Sequence, residues 1–187
     1  WFDEIEKALA GSSGPQGDGG VSTDALGTIL TWMQERTSRV FVVATANDVR
    51  ALPPELLRKG RFDDIFFVDL PNRVERAEIL RVTLKGFGRS LEGVDVDAVV
   101  DATAEFTGAE VAAIVPDAMF RAFADGARPI TTADLVEVSG TVAPLARTAE
   151  EKIRDLRTWA KGKTRPASTV DTTKAVRSSR GGLDMDD

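Results

Sequence analysis

The 187-residue chain has no cysteine and no histidine. The first absence excludes disulfides and thiolate metal sites. The second excludes imidazole acid–base chemistry and His-ligated zinc. Proton transfer must therefore fall to carboxylates, and any bound metal must be a hard, oxygen-preferring cation such as Mg²⁺. No apolar run approaches the roughly 20 residues of a membrane-spanning helix. No signal-peptide pattern opens the chain, so a cytoplasmic protein with no membrane partner is expected. The net charge of −6 gives no whole-chain electrostatic case for nucleic acid. What is present, 42% hydrophobic and 29% charged residues, is ordinary for a globular protein. The length suits one domain, or one with a small second. The chain begins with Trp1 and its first motif lies at residue 3, which reads as a piece of a longer protein.

The most informative stretch runs from Val40 to Pro71, VFVVATANDVRALPPELLRKGRFDDIFFVDLP. Val40–Thr45 is apolar and β-branched without polar alternation, the pattern of a strand buried on both faces of a parallel sheet. It stops at Asn47, at the C-terminal strand end where open α/β sheets bind ligands. A proline-broken segment, Pro53–Leu57, has room for one or two helical turns. Arg58 and Arg61 then flank Lys59-Gly60, and a second apolar run, Ile65–Val68, follows. Taken singly, a strand-end Asn is a turn former and an arginine pair is a solvated edge; the ordered combination is far more specific. It resembles the second region of homology of the AAA family of P-loop ATPases. That resemblance implies that Asn47 senses the γ-phosphate or attacking water, and that Arg58 and Arg61 reach a neighbouring subunit's nucleotide.

The opening, Trp1-Phe2-Asp3-Glu4, resembles the end of a Walker B strand. Adjacent strand residues point to opposite faces, so two neighbouring carboxylates do different work. The resemblance implies Asp3 for Mg²⁺ and Glu4 for activating water. On its own, a DE pair would read as acidic enrichment of a helix start. Gly11–Gly20 is a Gly/Ser/Pro loop, in the place of a second pore loop or a plain linker. Ser22 or Thr23 is expected to cap a helix of about a dozen residues. Leu26, Ile29, Leu30 and Met33 form its apolar stripe, and Trp32 is expected beside them in the core.

Beyond Pro71 the composition turns helical. Arg73–Lys85 places Ala77, Leu80 and Leu84 on one face, with Glu75, Arg76, Glu78 and Arg81 elsewhere, and Gly86 and Gly88 end it. A shorter helix is expected over Val94–Ala104. Thr107 and Glu110 form a capping box for a helix that contains Pro116, which removes one backbone bond and should kink it. Thr131 or Thr132 caps another helix, through about Val138, and Ala149–Ala160 forms the last. By resemblance, residues 72–140 are the family's small helical lid. Ile79 would stand against the adenine, and Gly108-Ala109 would let the backbone approach nucleotide.

The expected fold class is thus α/β: a partial P-loop NTPase parallel sheet followed by a small α-helical lid. The core covers 1–71, the lid 72–140, a helical extension 141–161 and a disordered basic tail 162–187. The resemblance is most specific to a bacterial and plastid branch of poorly defined role. It implies ATP and Mg²⁺ as ligands and a homo-oligomeric ring; the macromolecular substrate is not legible. No G-x-x-x-x-G-K-[ST] loop occurs in the chain. The alternative function is a non-hydrolysing assembly subunit that supplies arginines in trans.

Overall fold

The computed structural model describes residues 1–10, 21–35, 37–58 and 60–168, with only the backbone described for Ala10 and residues 21–26. The Gly11–Gly20 loop, the side chain of Leu26 and the tail beyond Ser168 lie outside the described residues. Contacts divide the chain into two compact units, one from Trp1 to Ile65 and one from Phe66 onward. The division falls six residues before the expected core boundary at Pro71 (71 against 65).

In the first unit, residues 1–3 run parallel to residues 43–45. Phe2 bridges Ala44, with Phe2 N donating to Val43 O and Thr45 N to Phe2 O, each at 2.9 Å. Helix α1 (Ile5–Ala10) follows the first segment directly, and helix α2 (Val21–Glu35) packs on it. Ser22 and Thr23 lie inside the first turn of α2 and do not precede it. The small core joins Ile5, Leu9, Met33 and Leu56, with Phe2, Ile29, Leu30, Ala44 and Phe62 around it. Met33 is buried as expected, but Trp32 is 40% exposed. One residue is a rotation of about 100° around a helix, which carries Trp32 off the stripe.

The expected strand Val40–Thr45 is reduced to that single bridge, and Phe41 is 91% exposed. A strand buried on both faces needs neighbours on both edges, and among the described residues only 1–3 lie alongside. A 3₁₀ turn at Val49–Ala51 is capped by Asp48, whose carboxylate accepts from Arg50 N at 3.0 Å. Pro53–Arg58 then forms successive turns, with Leu56 N bonded to Pro53 O at 3.0 Å.

In the second unit, strand β1 (Phe66–Phe67) leads into α3 (Arg73–Gly86), α4 (Val96–Ala102), α5 (Gly108–Ala124), α6 (Thr132–Thr141), α7 (Leu145–Thr148), α8 (Glu150–Ala160) and strand β2 (Arg165–Pro166). Sequence-coded caps set the helix starts. Asn72 with Glu75, Thr107 with Glu110 and Thr131 with Asp134 each form a reciprocal capping box. The end of α3 is equally explicit: Gly88 takes φ +66, Gly88 N bonds Lys85 O and Arg89 N bonds Leu84 O, which is a Schellman motif. Helices α3 to α6 pack around Leu80, Leu84, Val99, Phe106, Ile114, Val115, Ala118 and Leu135. Helix α5 continues through Pro116; the proline leaves the carbonyl of Ala112 without its helical donor.

Three expectations are corrected here. The Ile65–Val68 run, expected as a strand of the core sheet, supplies β1, which pairs in parallel with β2, in the register Phe66↔Arg165 and Phe67↔Pro166. The stretch 162–168, expected to be disordered, therefore carries structure. The chain leaves α8 through Gly162, at φ +74, and Ala167 N donates to Phe67 O at 2.9 Å. Arg76, expected off the core face of α3, is 7% exposed. It stands four residues before Leu80 and so shares its stripe; its guanidinium donates to Pro71 O at 2.8 Å and to Val100 O at 3.4 Å.

Candidate functional site

The parallel pairing of residues 1–3 with 43–45 aligns two strand ends and gathers polar groups there. Thr45 is the link. Its hydroxyl donates to Asp3 Oδ1 at 2.6 Å and accepts from Glu4 N at 3.0 Å. Asn47 Nδ2 donates to Glu4 Oε1 at 2.6 Å, and Lys7 Nζ donates to Glu4 Oε2 at 2.6 Å. Glu6, only 5% exposed, accepts from Asn47 N at 3.0 Å through Oε1, while its Oε2 has no partner among the described residues. Asn47 is thus held at its backbone by Glu6 and reaches Glu4 with its side chain. Asp3 is exposed and Glu4 half-buried, so the two neighbouring carboxylates occupy different environments.

Glu4 takes φ +48, in the left-handed region. A residue with a β-carbon occupies it only where the surroundings impose it. Here Ile5 N bonds Thr45 O at 2.9 Å, which turns the chain off the strand and into α1 within one residue. Lys7 is held above its ordinary pKa, first by the hydrogen bond it donates to Glu4 and then by the charge of that carboxylate.

Three sequence-assigned residues, Asp3, Glu4 and Asn47, are therefore brought together. Arg58 is exposed, and its guanidinium has no partner among the described residues. Arg61 is half-buried, and its guanidinium donates to Leu30 O of α2. In the second unit, a Cβ at Gly108 would lie 3.4 Å from Ile79 Cδ1, so the start of α5 and Ile79 share one surface, with Ala109 exposed on the same turn. The sequence reading missed Thr45, Glu6 and Lys7. The signals were Thr45 two residues before the strand-end Asn, and Glu6 and Lys7 two and three residues after Glu4, on the first turn of the helix.

Among the described residues no three carboxylates converge on one point. Asp3 keeps one carboxylate oxygen without a protein partner among them. A single accessible oxygen suits Mg²⁺, which keeps most of its shell as water and phosphate oxygens, and would not suffice for Ca²⁺ held by protein alone. No helix among the described residues is long and apolar enough to cross a membrane.

Asp3, Glu4 and Asn47 thus gather at the ends of two parallel extended segments. Residues 1–70 match the ATPase family associated with various cellular activities (AAA), and over that stretch the chain belongs to the AAA family. It is 43% identical over 170 residues to the uncharacterized AAA domain-containing protein ycf46 of Pyropia yezoensis, covering 90% of this chain and 34% of that protein. The ycf46 protein of Guillardia theta is 44% identical over 170 residues, covering 90% and 33%. The ATP-dependent zinc metalloprotease FtsH 2 of Sphaerobacter thermophilus is 38% identical over 153 residues, covering 80% and 23%. The chain thus spans about a third of the length of the ycf46 proteins it matches.

Proposed function

We propose that this chain is the C-terminal part of an AAA nucleotide-binding core together with its helical lid, and that the complete module hydrolyses ATP with Mg²⁺ in a homo-oligomeric ring. The observation that carries the reading is the 2.6 Å bond from Asn47 to Glu4, with Asp3 joined to the same cluster through Thr45. Glu4 takes the proton of a water whose oxygen attacks the γ-phosphorus. The bond from that phosphorus to the bridging oxygen breaks, and ADP leaves with its electron pair. Asn47 orients Glu4 and donates to the water or the γ-phosphate oxygens. Asp3 would hold Mg²⁺, which when bound offsets the negative charge of the phosphates. Ile79 and the Gly108-Ala109 turn offer an apolar wall and an open backbone to the adenine.

Ring assembly is supported by Arg58, an exposed guanidinium without a partner among the described residues. It is free to act on a neighbour's γ-phosphate as it stands. Arg61 would first release Leu30 O. Arginines of this kind contribute about 10³–10⁵ in rate in related systems.

The test uses the full-length protein. Glu4→Gln should retain ATP binding and lose turnover by about 10²-fold or more. Mixing Glu4→Gln with Arg58→Ala subunits should recover part of the lost activity, because some interfaces then pair an intact base with an intact arginine. Near-normal turnover of Glu4→Gln, or co-assembled mixtures that stay inactive, would count against the base and the trans arginine respectively.

A further inference from the structure

Glu4 is held from three sides. Its N–H is caught by Thr45, one carboxylate oxygen by Asn47, and the other by Lys7. Lys7 stands in the first turn of α1, and its own N–H donates to Glu4 O at 2.8 Å. The ammonium is therefore anchored to the residue whose carboxylate it holds. A glutamate side chain has three rotatable bonds, and its reactive oxygens drift unless other groups fix them. Asn47 alone pins one oxygen and leaves the carboxylate able to swing about that point. Lys7 supplies the second point.

We propose that Lys7 is a positioning residue for the hydrolysis reaction: with Asn47 it fixes the plane and direction of the Glu4 carboxylate. The inference rests on Glu4 being the base of the proposed reaction. An ionised carboxylate offers about four acceptor directions. The bonds from Asn47 and Lys7 use one on each oxygen, which leaves others for the attacking water. Small misalignments of a reacting group cost up to about 10²-fold, so losing one of two fixing points should lower the chemical step. The Lys7 side chain is 69% exposed, and exposed ion pairs add little to stability. An effect on turnover can therefore be separated from an effect on folding. The contact also raises the proton affinity of Lys7.

The experiment compares Lys7→Met, Lys7→Arg, Glu4→Gln and the double variant Glu4→Gln/Lys7→Met in the full-length protein. Single-turnover hydrolysis, ATP affinity and thermal unfolding are measured for each. Lys7→Met should lower the hydrolysis rate about tenfold to a hundredfold with ATP affinity and melting temperature unchanged, and Lys7→Arg should restore part of the rate. In the Glu4→Gln background Lys7→Met should cost nothing further, because the two residues act as a unit. An unchanged or raised rate in Lys7→Met, or an equal loss in both backgrounds, overturns the proposal while leaving Glu4 as the base. Normal turnover of Glu4→Gln overturns the base itself, and Lys7 positioning with it.

Discussion

Single residues carry specific consequences in both units, and Asp134 is the sharpest case for stability. It is 4% exposed and accepts from Thr131 N, Thr131 Oγ1 and the Arg128 guanidinium, which also pairs with Asp125. The Arg128 hydrogen bonds hold its carboxyl well below the usual carboxylate range, assisted by those from Thr131 and opposed by burial. A carboxyl whose native pKa is depressed adds stability above its unfolded value and loses it as pH falls toward the native one. Asp134→Ala should therefore destabilise the helical unit by on the order of 2 kcal/mol at neutral pH, through the lost cap and charged hydrogen bonds. The difference from the parent should shrink as pH drops below about 4. Urea unfolding of both proteins between pH 7 and 3 measures this; a difference independent of pH would remove the charge from the explanation. Arg76 shows the converse. Its place on the stripe of Leu80 and Leu84 was legible by counting, but not that two carbonyls, of Pro71 and Val100, would accept its guanidinium.

Elements differ in how they are secured. Helices α3, α5 and α6 are specified locally, by capping boxes and stripes that the sequence displays. Strands β1 and β2 are two residues each and depend on what surrounds them. Arg157 of α8 grips Asp69 through Nε and Nη2 at 2.8–3.0 Å, and Ser168 Oγ donates to Glu75 Oε2 at 3.2 Å. A cavity of about 360 Å³ remains beneath α8, lined in part by Leu70, Ile153 and Arg157. The strap formed by α8 and β2 is therefore tied by polar contacts at Arg157 and Ser168 in addition to the β1–β2 pairing. Arg157→Ala should speed hydrogen exchange at Ala167 N, the donor to Phe67 O, severalfold. The exposed pair itself contributes about 0.2–1 kcal/mol, so protection at Leu80 and Ile114 should stay unchanged. Equal loss of protection at both places would mean that strap and bundle open as one.

For the whole chain, what is missing from the sequence governs behaviour. Backbone N–H groups and the lysine of a phosphate loop supply much of the nucleotide affinity in P-loop proteins, and no such loop occurs in these 187 residues. Trp1 and Phe41 are 79% and 91% exposed, beside extended segments that bridge each other at one point. Exposed apolar surface next to unpaired strand edges favours association. The chain by itself should neither bind Mg-ATP at micromolar concentration nor hydrolyse it, and it should aggregate on concentration. Titration calorimetry checks the first point; a saturable one-to-one isotherm would reveal a phosphate site elsewhere in the chain.

The sequence by itself determined helices α3 to α6 and α8, because caps and apolar spacing are local codes read within a few residues; the short α7 was not legible in it. It also narrowed which residue types could do chemistry, since without cysteine or histidine there is no thiolate or imidazole. Asp3, Glu4 and Asn47 were flagged as candidates by resemblance to the AAA family's motifs. Only the tertiary structure decided which strands pair. Val40–Thr45 and Ile65–Val68 read alike as apolar β-branched or aromatic runs, yet one meets Phe2 and the other meets Arg165-Pro166. Strand pairing is a long-range choice, settled by which distant segment the intervening turns deliver, and composition does not encode it. The same holds for Thr45, an ordinary residue in the sequence that acquires its place only when segments more than forty residues apart are laid side by side, whereas Lys7 reaches Glu4 within one helical turn.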